Sequence, residues 1–98
     1  MMLLIDQINV THRGKWIGTI GILHKYNPTH FTAELKYLKS RLLLDLSDYP
    51  VCFINHRVFV YGKLFVFRQR NMVLYRLKIV HIEKCDINKS ILESIGAF

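Results

Sequence analysis

The sequence predicts an all-β protein: a five-stranded closed barrel with an α-helix at its C-terminal end. Three observations lead there. Residues 57–68 alternate in side-chain type, the period of two that marks a strand. Gly18 and Gly21 punctuate an otherwise apolar strand over residues 16–26, as a strand requires when it coils through two parts of a small barrel. At Asp86 the period changes from that of a strand to that of a helix.

The stretch 57–68 organises the rest. Val58, Val60, Leu64 and Val66 form an aliphatic face, and Phe59, Tyr61, Lys63, Phe65 and Phe67 form an aromatic, partly basic one. Gly62 breaks the aliphatic face at mid-strand, which signals a bend, a bulge or a close backbone approach.

In chain order, residues 3–10 are apolar without a clear period and fit either a strand or a short helical lead-in. Residues 11–15 form a turn, and the first strand follows with Trp16, Gly18, Ile20 and Ile22 on one face. Asn27, Pro28 and Thr29 reverse the chain. Residues 31–38 contain good helix formers, but Phe31, Ala33, Leu35 and Tyr37 alternate, which favours a second strand. After a polar break at 39–41, residues 42–46 make a third strand, ended by Asp48 and Pro50. Residues 51–56 are a connector, either one helical turn or an irregular plug for the barrel end. The long strand comes fourth, 69–71 is a hairpin loop, and 73–82 is the last strand, with Tyr75, Leu77 and Ile79 opposite Arg76 and Lys78. Ile87, Ile91, Leu92 and Ile95 then recur at helical spacing, with Asp86 or Asn88 as cap and Gly96 as stop. This order of elements is that of an OB-fold. A small open sheet with a packed helix is the alternative.

Ninety-eight residues predict one domain, 1–98, with a single core. A hydrophobic content of 51% argues against disorder. No apolar run approaches the roughly 18 residues of a membrane span. The N-terminus lacks a basic leader and meets Asp6 early, so the expectation is a soluble intracellular protein without membrane contact. Cys52 and Cys85 lack metal-ligand spacing and read as buried free thiols. The net charge of +7 favours a polyanionic partner.

Single-strand binders track phosphates with cations and stack bases on aromatic rings. Tyr61 and Phe65, with Lys63 between them, fit that chemistry, and Tyr26, Lys36, Arg68, Arg70, Arg76 and Lys78 extend the basic surface. The opposing reading buries the aromatic face, Phe59 and Phe67 included, against the terminal helix or a partner chain. The helix has two readings as well: it caps its own barrel or packs on a partner. His12, His24, His30, His56 and His81 show no metal spacing. There is no serine elbow, phosphate-cradling loop or Cys/His pair, and Asp45 is a lone carboxylate in an apolar strand. The expectation is therefore no enzyme, no cofactor, no metal and no small-molecule substrate.

The runs Gly-Lys-Trp-Ile-Gly-Thr-Ile-Gly-Ile-Leu-His-Lys-Tyr (14–26), Arg-Leu-Leu-Leu-Asp-Leu-Ser (41–47), Val-Phe-Val-Tyr-Gly-Lys-Leu (58–64) and Tyr-Arg-Leu-Lys-Ile-Val (75–80) resemble small single-domain OB proteins. With residues 85–95, the chain is similar to the Ten-one subunit of the CST telomere complex, and the smallest subunit of replication protein A shares the layout. The resemblance implies a non-enzymatic subunit of a telomere-capping complex on single-stranded DNA, in the nucleus at chromosome ends. It further implies a larger OB-fold partner of the Stn-one kind, contacted in part through Ile87, Ile91, Leu92 and Ile95. This chain is more basic than those subunits often are, which leaves direct nucleic-acid contact or an acidic partner open. A stand-alone single-strand binder and a protein-interaction adaptor in genome maintenance are the competing functions.

Overall fold

Alternation in the long strand becomes burial. Along β4 (Arg57–Gln69), Val58, Val60 and Leu64 are fully enclosed, whereas Lys63 and Phe65 face solvent. Burying each such aliphatic side chain is worth about 1.5–3 kcal/mol. The strand therefore has one stable orientation.

The computed structural model describes residues 1–49 and 53–85. β1 (Trp16–Asn27), β2 (Thr32–Tyr37), β3 (Ser40–Asp45), β4 and β5 (Met72–Lys84) close into a barrel in the order β1-β2-β3-β5-β4. Only the β3–β5 pairing is parallel. β1 serves both sides of the closure. Its first part pairs with β4, from Trp16 opposite Lys63 to Ile22 opposite Arg57. Its second part pairs with β2, from Ile22 opposite Lys36 to Asn27 opposite Thr32. Ile17, Leu23, Leu35, Leu44, Val58, Val60, Leu64, Leu77 and Ile79 fill the interior with almost no exposure. This is the closed OB barrel that the element order predicts, and the open-sheet alternative falls.

Two bulges set the phase of the strands. Between His24 and Asn27, β1 carries one extra residue, with Lys25 at φ 55°, and Tyr26 is turned onto the main core. In β5, His81 opposes Tyr61 but Ile79 opposes Gly62, so Val80 is the extra residue. Ile79 and Ile82, three apart, consequently both point inward. Gly62 is required there: a Cβ on it would run into the Lys78 carbonyl oxygen.

Residues 3–10 form no strand of the barrel but a short helical lead-in. They contain a 3-10 turn, Ile5–Gln7, and a second follows at Val10–His12. Gln7 Oε1 accepts from the Leu4 amide at 2.8 Å, and Asn9 Oδ1 accepts from the Thr11 amide at 2.9 Å. The short polar side chains thus satisfy amides that a helix would otherwise leave open. Met2 bridges to Gly18, and Leu4 is buried against Ile20 on the outside of the barrel.

The hairpin loop between β4 and β5 is shorter than expected. Gln69 still pairs with Met72, so the turn is Arg70-Asn71 alone, both at positive φ (50° and 66°). Two successive left-handed residues give the twist that suits a two-residue hairpin. In the connector, Phe53 and Ile54 pack against the core, and Tyr49 donates its hydroxyl to the Ile82 carbonyl at 3.2 Å. Cys85 is a half-buried free thiol. Cys52, the remainder of the connector and the expected helix with Ile87, Ile91, Leu92 and Ile95 lie outside the described residues.

Candidate nucleic-acid interface

The four aromatic residues on the outer face of β4 have four different surroundings. Phe59 lies over Gly18, where a Cβ would come within 2.9 Å of the ring, and Met2 and Leu4 pack against it. The N-terminal segment of the chain itself therefore covers Phe59. Tyr61 stacks on Trp16, with ring centroids 5.8 Å apart and planes 6° from parallel. Phe67 carries the Arg76 guanidinium 5.0 Å above its ring. Phe65 remains 46% exposed.

Phe65 borders a cleft. β4 and β5 place Phe65 opposite Arg76, and the parallel β3–β5 pairing sets Arg76 beside Leu43 and Lys78 beside Asp45. Phe65, Phe67, Arg76, Lys78 and Asp45 line one part of the cleft, about 380 Å³ in volume. Asp45 and Arg76 continue into a second part with His30, Thr32, Leu43 and Ser47. The size falls within the range of about 300–1,000 Å³ typical of small-ligand sites. Among the described residues, no group of three His, Cys, Asp or Glu side chains is placed to hold a metal ion.

Charge in the cleft is mixed but ordered. Lys78 Nζ lies 3.0 Å from Asp48 Oδ2, and this contact holds the ammonium above the ordinary lysine range. Asp45 Oδ1 accepts from the Ser47 amide at 2.9 Å. Burial pushes the Asp45 carboxyl up, but the Ser47 side-chain and backbone hydrogen bonds, with Lys78 and Arg76 nearby, outweigh it and leave it below its ordinary value. Arg76 Nε is enclosed and has no hydrogen-bond partner among the described residues. Outside the cleft, Glu34 Oε1 meets Arg41 at 3.3 Å and His24 at 3.2 Å, ion-pair contacts without hydrogen-bond alignment. This cluster ties β1, β2 and β3 together.

The structure gathers some of the residues singled out in the sequence and scatters others. Phe65, Phe67, Arg76 and Lys78 converge on the cleft. Lys63 is exposed beside it, opposite Lys78. Arg68 and Arg70 are exposed on and beside the hairpin turn. Lys36 is exposed on β2, opposite Arg41. Tyr26 packs on the core, and Tyr61 faces β1, both away from the cleft. His30, Thr32, Leu43 and Ser47 are not among the site residues the sequence points to, and Asp45 reads there only as a lone carboxylate in an apolar strand. Their places depend on the parallel β3–β5 pairing, which no local pattern encodes. Trp16 was also missed, although a tryptophan opening a strand was the available signal.

These features define an OB-fold protein with an aromatic and basic cleft on its outer surface. No family model matches the chain, and no curated protein matches it. Solved structures do. The barrel matches one in the S. pombe Stn1–Ten1 complex with a TM-score of 0.68 at 17% identity, covering 96% of this chain and 85% of the other. It matches the telomere capping protein Ten1 from S. pombe with a TM-score of 0.67 at 15% identity, covering 96% and 90%. The hypothetical protein YgiW from E. coli matches with a TM-score of 0.67 at 12% identity, covering 87% and 90%. The fold is thus a Ten1-like OB barrel, and a shared fold does not by itself assign a function.

Proposed function

We propose that this chain is a non-enzymatic OB-fold subunit of a telomere-capping complex in the nucleus, one that docks a larger OB-fold partner and binds single-stranded DNA. The observation that carries the proposal is the position of the Phe65–Arg76 cleft. It lies on the outer face of β3, β5 and β4 and reaches Thr32 at the start of β2 and His30 in the β1–β2 loop, so it borders the strand 2–3 face and the loops with which OB-folds hold oligonucleotides. In this reading a base stacks on Phe65, while Arg68, Arg70 and Arg76 neutralise phosphates. The partner meets the exposed Trp16 ring stacked on Tyr61. Likeness to Ten1 and to the Stn1–Ten1 complex supports the telomeric setting.

The test has two arms on the full chain. Co-expression with the larger OB-fold telomere subunit of the same organism is expected to give one complex of equal stoichiometry on size exclusion. Titration of a labelled single-stranded oligonucleotide is expected to show affinity that falls with salt, with a slope of about −0.7 per phosphate contacted. Failure of both arms overturns the proposal. The net charge of +7 favours a second reading, a stand-alone single-strand binder. That reading predicts a monomer that binds oligonucleotide steeply with salt and ignores the larger subunit.

A further inference from the structure

We infer that the edge of β4 beyond the end of β1 takes an acidic, extended segment of another protein as an added strand, an inference independent of the nucleic-acid reading above. The ladder between β1 and β4 runs from Ile22 opposite Arg57 to Trp16 opposite Lys63. It closes one residue further on, where the Leu64 carbonyl accepts from the Gly14 amide at 2.8 Å and the Leu64 amide donates to the Lys15 carbonyl at 3.0 Å. The chain turns at Gly14, which holds φ 75°, and the residues before it bond among themselves, His12 to Asn9 and Arg13 to Val10. β4 nevertheless continues to Gln69 along β5. Backbone groups of an antiparallel strand face its two neighbours alternately. Leu64 faces the β1 side, so Val66 and Arg68 do as well, while Phe65, Phe67 and Gln69 bond to β5. Among the described residues, no backbone group meets the outward N–H and C=O of Val66 or Arg68.

An open edge of this kind is a template for one more strand. Its charge selects the occupant. Arg13 and Lys15 stand where the β1 ladder ends, Lys63 and Arg68 lie along β4, and Arg70 is in the turn; all are exposed. None of them pairs with a carboxylate among the described residues. A second copy of this chain would set these cations against their own counterparts, and like charges facing each other across a strand pair destabilise it. Residues 86–98 of the same chain begin at the opposite end of the hairpin, where the Cys85 amide donates to the Arg57 carbonyl at 3.0 Å. An acidic strand from a partner protein meets both demands. Its main chain completes the outward groups of Val66 and Arg68, and its carboxylates neutralise the cations at either end. Its side chains alternate with those of β4, one set beside Phe65 and Phe67 and the other beside Val66 and Arg68.

The experiment uses the full wild-type chain and amide hydrogen exchange read residue by residue by NMR. In the free protein, the Val66 and Arg68 amides are expected to exchange roughly tenfold or more faster than those of Phe65 and Phe67. Saturation with the peptide Asp-Glu-Val-Thr-Val-Glu-Asp is expected to slow both by roughly tenfold or more. The counterpart Lys-Lys-Val-Thr-Val-Lys-Lys is expected to bind at least roughly tenfold more weakly. The acidic peptide methylated on alternate backbone nitrogens keeps every side chain and is expected to lose about as much. Arg68→Pro, placed where the amide faces outward, is expected to abolish binding with cooperative unfolding retained, whereas Arg68→Gln weakens it only a few-fold. Slow exchange of both amides in the dilute free protein overturns the open edge. Protection that grows with protein concentration alone assigns the edge to a second copy and overturns the peptide. Protection by a dT 15-mer in place of the acidic peptide gives the edge to nucleic acid and overturns it as well. Binding of the acidic peptide that leaves both amides unprotected overturns strand addition. Absence of peptide binding overturns the inference and leaves the oligonucleotide reading intact.

Discussion

Among the described residues, Phe65 is the outer-face aromatic of β4 that neither the N-terminal segment nor a neighbouring side chain covers, and its truncation separates binding from folding. Phe65→Ala is expected to weaken oligonucleotide binding by about 1–3 kcal/mol. The midpoint of urea unfolding should barely move, because the ring is 46% exposed. Gly62→Ala should do the reverse. The added Cβ meets the Lys78 carbonyl oxygen across the bulge, so a loss of about 1–3 kcal/mol in unfolding free energy is expected. Asp45 supplies a pH signature. Its carboxyl titrates below the usual 3.8, so its contribution is fully present above that pH and is lost as pH falls through the lower folded value. Since the group is half-buried and still screened by solvent, the amount is below about 1 kcal/mol. Comparing urea unfolding of wild type and Asp45→Asn across that range reads it. The need for Gly62 was legible in the sequence as a gap in an aliphatic face. The fate of Phe59 was not: its cover comes from Met2 and Leu4, more than fifty residues earlier, and alternation reports only which face a side chain takes.

At the level of elements, the β4–β5 hairpin carries a cost that can be removed. Arg70 and Asn71 both hold positive φ, and only the second is a residue type that tolerates it well. Replacing the pair by Asn-Gly is expected to stabilise the protein by about 1 kcal/mol, seen as a raised unfolding midpoint. The N-terminal turns deserve the opposite test. Leu4 is 5% exposed against Ile20, so Leu4→Ala is expected to cost about 2–5 kcal/mol. All five strands were readable from period and turn residues, with ends wrong by a few positions at most. The N-terminal segment resisted because residues 3–10 show neither period. Their apolar side chains serve two clusters at once: Ile5 and Ile8 join the main core, and Leu4 joins the outer one.

For the whole molecule, charge and closure act together. A net charge of +7 on a barrel with Arg76 in its cleft and Arg68 and Arg70 at its hairpin should make oligonucleotide affinity salt-dependent. Removing one phosphate contact with Arg70→Ala should lower that slope by about 0.7 while weakening binding to all sequences alike. The sequence by itself determined the strands, the aliphatic face of β4, the need for glycine at position 62 and the basic character, because each is a local period or a composition. Only the tertiary structure decided that Asp45, Arg76 and Phe65 share one cleft and that Phe59 is covered. Those facts follow from the parallel pairing of β3 with β5 and from the path of the N-terminus over β1. Such pairings join segments about thirty residues apart or cross from one end of the barrel to another, and no local pattern of side chains specifies them.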